Sequence, residues 1–105
     1  MNSMEDSIAP GGNIQLTGFK DIDSSSMAVV KKIIASHAKR IAELAKKTGT
    51  LHITLKPVHE REKSEKYEVH ANFIDDGKVY ASEVTERNLF VAVDGVLNKI
   101  VNEMD

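Results

Sequence analysis

No cysteine occurs among the 105 residues. That excludes disulfides, thiolate metal sites and a cysteine nucleophile, and it leaves the redox compartment open. No apolar run approaches the roughly 18 residues that a membrane span needs. The N-terminus also lacks the basic-then-apolar order of a secretion signal. We therefore expect a cytoplasmic protein with no membrane partner. There is no glycine-rich phosphate loop, and no Ser-His-Asp pattern stands in a recognisable context. Glu60, Glu62, Glu65 and Glu68 fall in or beside a charged loop, whereas general acid–base work needs a pocket that shifts a pKa. The chain is thus not expected to be an enzyme, and no cofactor or small-molecule substrate is expected.

What is present suits one small domain with a single modest core, at 41% hydrophobic and 29% charged residues. Residues 1–12 are polar and small, end in Pro-Gly-Gly and show no periodicity, so they read as a disordered leader before a domain over 13–105. Asn13 to Thr17 alternates as a first strand and Gly18 ends it. Ser24, Ser25 and Ser26 offer N-caps for a helix running to about Lys47 and stopping at Gly49. Val30, Ile33, Ile34, His37, Ile41 and Leu44 share its apolar side. Leu51, Ile53 and Leu55 mark a second strand, which Pro57 ends or places on an edge. After a charged loop, Tyr67, Val69, Ala71 and Phe73 alternate as a third strand. Asp76-Gly77 signals a hairpin into a fourth strand over Lys78 to Val84. Its buried face is ambiguous, because Val79 and Ala81 compete with Tyr80 and Val84.

The closing stretch, Thr85 to Met104, carries the most regular signal. Leu89, Phe90, Val93, Leu97, Ile100, Val101 and Met104 form one apolar helical stripe, with Thr85 as N-cap and Glu86 in the first turn. The order β-α-β-β-β-α implies an α+β two-layer sandwich, a four-stranded sheet with both helices on one face.

Charge is distributed unevenly beneath a net value of −2. From Met27 to Lys47 there are six basic residues against the single acid Glu43, a local +5. From Glu86 to Asp105 two basic residues stand against four acids, a local −2. Local fields decide what docks where, so the chain has a basic side.

Several segments together resemble the hibernation-promoting and ribosome-associated-inhibitor proteins, in a short single-domain form. Asn88-Leu89-Phe90-Val91-Ala92-Val93-Asp94 followed by Lys99 is similar to that family's closing helix. Asn13-Ile14-Gln15-Leu16-Thr17-Gly18 resembles its opening strand, which ends in Thr-Gly, and Ile53-Thr54-Leu55-Lys56 its second. Val69-His70-Ala71 leads through a turn to Gly77-Lys78-Val79-Tyr80-Ala81-Ser82-Glu83, similar to the family's short hairpin. The resemblance implies the same dsRBD-like fold and a stress-linked translation regulator. Such a protein docks between head and body of the small ribosomal subunit and blocks the mRNA/tRNA channel. It also implies rRNA recognition through phosphates and shape, by basic side chains on the helices. The corresponding residues here are Lys31, Lys32, Lys39, Arg40, Lys46 and Lys47 on the first helix, with Arg87 and Lys99 on the second.

Two departures shape that expectation. Where the family continues with an Arg and a Lys-rich tail, this chain has Asn102, Glu103 and Asp105, which shifts the electrostatic burden to the first helix. No linker or C-terminal dimerisation domain follows, so a monomer is expected. The other reading is an RNA-binding or protein-interaction module of dsRBD-like fold acting away from the ribosome. A distant third is a small enzyme using His52 and His70 on the outer sheet face. Two imidazoles without a third ligand make a poor metal site, so none is expected. His37, on an apolar side, reads as a hydrogen-bonded boundary residue, and Asp75-Asp76-Gly77 as turn chemistry.

Overall fold

The computed structural model describes residues 13–47, 49–59 and 65–105. The expected leader and the middle of the charged loop lie outside these residues. The elements are β1 (Asn13–Thr17), α1 (Ser24–Leu44), β2 (Thr50–His59), β3 (Glu65–Asp75), β4 (Lys78–Glu86) and α2 (Leu89–Met104). Their order is the expected β-α-β-β-β-α. The sheet is mixed, ordered β1-β2-β3-β4. β1 runs parallel to β2, with Ile14 opposite Leu51, and β2–β3 and β3–β4 are antiparallel.

The period-two alternation puts one face of every strand into a shared core. Ile14, Leu16, Leu51, Ile53, Leu55, Val69, Ala71 and Phe73 are buried there. From the helix layer come Val30, Ile34, Ala38 and Ile41 of α1 and Leu89, Ala92, Val93, Val96, Leu97 and Ile100 of α2. Both helices therefore cover the same face, as expected. Phe19, which the alternation of β1 does not reach, also enters this core from the turn after Gly18. β4 resolves its ambiguity through α2: the Ser82 hydroxyl donates to the Val96 carbonyl at 2.7 Å. That contact turns Tyr80, Ser82 and Val84 inward and leaves Val79 57% exposed.

Pro57 does not end β2. β1 stops where Thr17 pairs with Thr54, so the far edge of β2 is open at Pro57 and a missing N–H is tolerated. The predicted hairpin is present as a two-residue turn between Asp75 and Lys78. Asp76 and Gly77 take φ of 54° and 85°, the left-handed pair that a tight hairpin needs.

Both helix starts are corrected. The α1 cap is Asp23, whose carboxylate accepts from the Ser26 N–H at 3.0 Å. The three serines form the first turn instead, and this bond holds the Asp23 carboxyl below its ordinary value. For α2 the cap is Asn88, accepting from the N–H groups of Phe90 and Val91 at 2.8 and 3.0 Å. Thr85 and Glu86 belong to β4, where pairing with Glu68 and Tyr67 claims their backbone.

The end of α1 is corrected as well. The helix stops at Leu44, Ala45 is extended, and Lys46 and Lys47 lie beyond it. The cause is Asp75, a charged residue only 5% exposed. Its two carboxylate oxygens accept from the N–H groups of Lys46 and Lys47, each at 2.9 Å. The Lys46 bond lowers the Asp75 pKa most. Burial opposes it, while the Lys47 bond and the two ammonium groups reinforce it.

Because the folded-state value lies below the unfolded one, near about 3.9, this stabilisation is present above about pH 4. It is lost as pH falls through the folded value. Asp75→Ala is therefore expected to lower the melting temperature at neutral pH, and the gap to wild type should shrink at about pH 3. Thermal unfolding followed by circular dichroism at the two pH values checks both expectations.

Candidate nucleic-acid interface

The α1 surface away from the core carries Lys32 and Lys39, both exposed. Seven residues separate them, close to two helical turns, so they lie on one side about 10 Å apart. Among the described residues no carboxylate pairs with either. The flank of α1 nearer α2 is different. His37 Nε2 lies 2.7 Å from Asp94 Oδ1, and Asp94 also accepts from Asn98 at 3.2 Å. His37 is thus the hydrogen-bonded boundary residue that its position suggested. Arg40 reaches Glu43 at 3.4 Å and Asp105 at 3.7 Å. The acids of α2 consequently act as partners for the inner flank of α1 and leave its outer line unneutralised.

The remaining expected residues are dispersed. Lys31 is half-buried. Lys46 and Lys47 extend the basic line past the helix end, on a segment gripped by Asp75, and Lys47 Nζ pairs with Asp76 at 3.2 Å. Arg87 is exposed but precedes α2, in the connection from β4, because Asn88 is the cap. Lys99 does sit on α2, yet its ammonium donates to the Glu83 carbonyl at 3.1 Å. That places it at the β4 edge, away from Lys32 and Lys39. Of the first-helix residues, Lys32 and Lys39 thus share one exposed side, whereas Lys31 is half-buried and Arg40 lies on the flank towards α2; Lys99 lies by β4.

On the outer sheet face His52 stands opposite Asn72 and His70 opposite Thr54, so the two histidines are diagonal neighbours, as the sequence suggested, but they bond to different partners. His52 Nε2 lies 2.8 Å from Thr17 Oγ1. His70 stands between carboxylates, with Nε2 bonded to Glu68 and Nδ1 3.3 Å from Glu83. The His70 bond holds the Glu68 carboxyl below its ordinary value, and the charges of His70 and Lys56 act in the same direction. The β3 alternation put Glu68 and His70 on one face. Glu83 could be added only once the β3–β4 register was known.

No described helix is long and apolar enough to cross a membrane. No family model matches the chain, and no curated protein matches it in sequence. Solved structures do match its fold. A ribosomal subunit interface protein from Coxiella burnetii is 19% identical, with a TM-score of 0.60 over 87% of this chain and 91% of the other. The N-terminal domain of Thermus thermophilus Protein Y is 13% identical, with a TM-score of 0.55 over the same shares. The chain thus shares the fold of these two proteins.

Proposed function

We propose that this chain is a non-enzymatic translation regulator that docks on the small ribosomal subunit, occupies the mRNA/tRNA channel and idles the ribosome. The carrying observation is the unneutralised line of Lys32 and Lys39 on α1, within a fold shared with a ribosomal subunit interface protein and Protein Y. Ammonium groups on a rigid helix neutralise phosphates and release counterions without needing to read a base sequence. Lys46 and Lys47, exposed just beyond the helix, extend the contact, and Arg40 adds to it only on leaving Glu43 and Asp105. Arg87 and Lys99 add to it only where rRNA wraps beyond α1. In this reading residues 13–105 are the ribosome-binding domain, preceded by a leader, acting as a monomer in the cytoplasm.

The net charge of −2 and the acidic α2 favour the second reading, a module that binds RNA or protein away from the ribosome. Co-sedimentation with purified small subunits, at low and near-physiological salt and with a short RNA hairpin as competitor, separates the two. Saturable binding that weakens with salt and survives the hairpin is the expected result. Equal affinity for the free hairpin would favour the second reading, and no binding at either salt would refute the first.

A further inference from the structure

We propose that Glu68, His70 and Glu83 form a binding site for a divalent transition-metal cation of the zinc type on the open face of the sheet. The site lies across the sheet from the helices and is independent of the ribosomal reading.

Its construction follows from the strands. Glu68 and His70 are two residues apart on β3 and so project to the same face. Glu83 on β4 is the register partner of His70, which puts the two side chains side by side. The imidazole is bonded to Glu68 through Nε2 and lies 3.3 Å from Glu83 Oε1 through Nδ1. One donor atom from each of the three residues lies within 4.8 Å of the others. Tetrahedral bonds of about 2.0–2.1 Å place donor atoms about 3.3 Å apart; because Glu68 meets Nε2 and Glu83 meets Nδ1, one carboxylate has to swing round the ring by an ångström or so to share a single imidazole nitrogen's ion.

The exposures identify which ligand moves. Glu68 and His70 are 33% and 31% exposed and held on a central strand. Glu83 is 70% exposed and is the arm free to turn onto an ion shared with His70. Its backbone is steadied from behind by Lys99, whose ammonium holds the Glu83 carbonyl at 3.1 Å.

The donor chemistry selects the class of ion. Two carboxylates and a neutral imidazole match a divalent charge. One nitrogen with two oxygens, and a fourth position for water, is a set that zinc accepts. Facing the cluster on the same side of the sheet are Thr54, opposite His70, Thr85 and Lys56, both opposite Glu68, His52, diagonal to His70, and Lys66, two residues before Glu68 on β3. Lys56 competes for the Glu68 carboxylate.

The test is zinc titration of the purified chain at neutral pH, in competition with a chromophoric chelator. Glu83→Gln, His70→Ala and His52→Ala are compared with wild type, and circular dichroism verifies folding. Wild type is expected to bind one equivalent and to melt at higher temperature with zinc present. Glu83→Gln and His70→Ala should each weaken binding roughly tenfold or more, and His52→Ala should leave it unchanged. Glu83 is exposed enough that its variant should fold normally. Absence of stoichiometric binding, or equal affinity in wild type and Glu83→Gln, would overturn the proposal.

Discussion

A Lys32→Glu, Lys39→Glu double variant is expected to lose small-subunit binding at near-physiological salt while keeping the wild-type circular dichroism spectrum and melting temperature. Both side chains are exposed on the outer line of α1. Among the described residues neither has a carboxylate partner, so reversing them breaks no internal ion pair. Each phosphate contact removed should flatten the salt dependence of log K by about one unit of slope. Two reversals, which also repel the backbone, should lower affinity by well over tenfold at about 0.15 M salt.

Arg40→Glu makes the informative comparison. Arg40 is already shared with Glu43 and Asp105, so its reversal disturbs the helix pair as well as any RNA contact. Exposed pairs of this kind contribute about 1 kcal/mol or less, and stability should change little. Co-sedimentation across a salt series reads the outcome. Unchanged affinity in the Lys32, Lys39 variant would remove α1 from the interface.

Gly18→Ala is expected to damage the fold severely. Gly18 has φ of +88°, and a Cβ placed there would lie 2.1 Å from the Leu55 carbonyl oxygen. The left-handed conformation alone costs a residue with a Cβ about 1–2 kcal/mol. The clash is with backbone of β2, so relieving it means moving the strand that bears Leu51, Ile53 and Leu55 in the core.

Gly77→Ala isolates the first effect. Its φ is +85°, but no atom lies within 4 Å of the added carbon, so only the conformational cost of about 1–2 kcal/mol should appear. A domain of this size has a total stability of about 5–15 kcal/mol. Gly77→Ala should therefore still unfold cooperatively in urea. Gly18→Ala should lose most of its transition midpoint or fail to fold. Equal midpoints for the two variants would mean that the approach of Gly18 to Leu55 is not tight in solution. The same contact gives a physical reason for a strand that ends in Thr-Gly.

The sequence by itself determined the architecture. Alternation in Asn13–Thr17 and Tyr67–Phe73, the helical stripe from Leu89 to Met104 and the Asp76-Gly77 turn are local patterns. Each is set by the geometry of its own few residues, and together they leave a single layer arrangement. The charge asymmetry of the first helix was legible for the same reason.

Only the tertiary structure decided where the elements stop and which charges stay free. The end of α1 depends on Asp75, 29 residues beyond Lys46, and no local signal near Leu44 announces it. The inward face of β4 depends on Ser82 meeting the Val96 carbonyl. The choice of Lys32 and Lys39 over Arg40 and Lys99 depends on Asp105 reaching Arg40 and on the Glu83 carbonyl holding Lys99. His70 acquires Glu83 as a neighbour only through the β3–β4 register. Periodicity records which face of an element is dry. Which polar groups meet across elements is decided by packing.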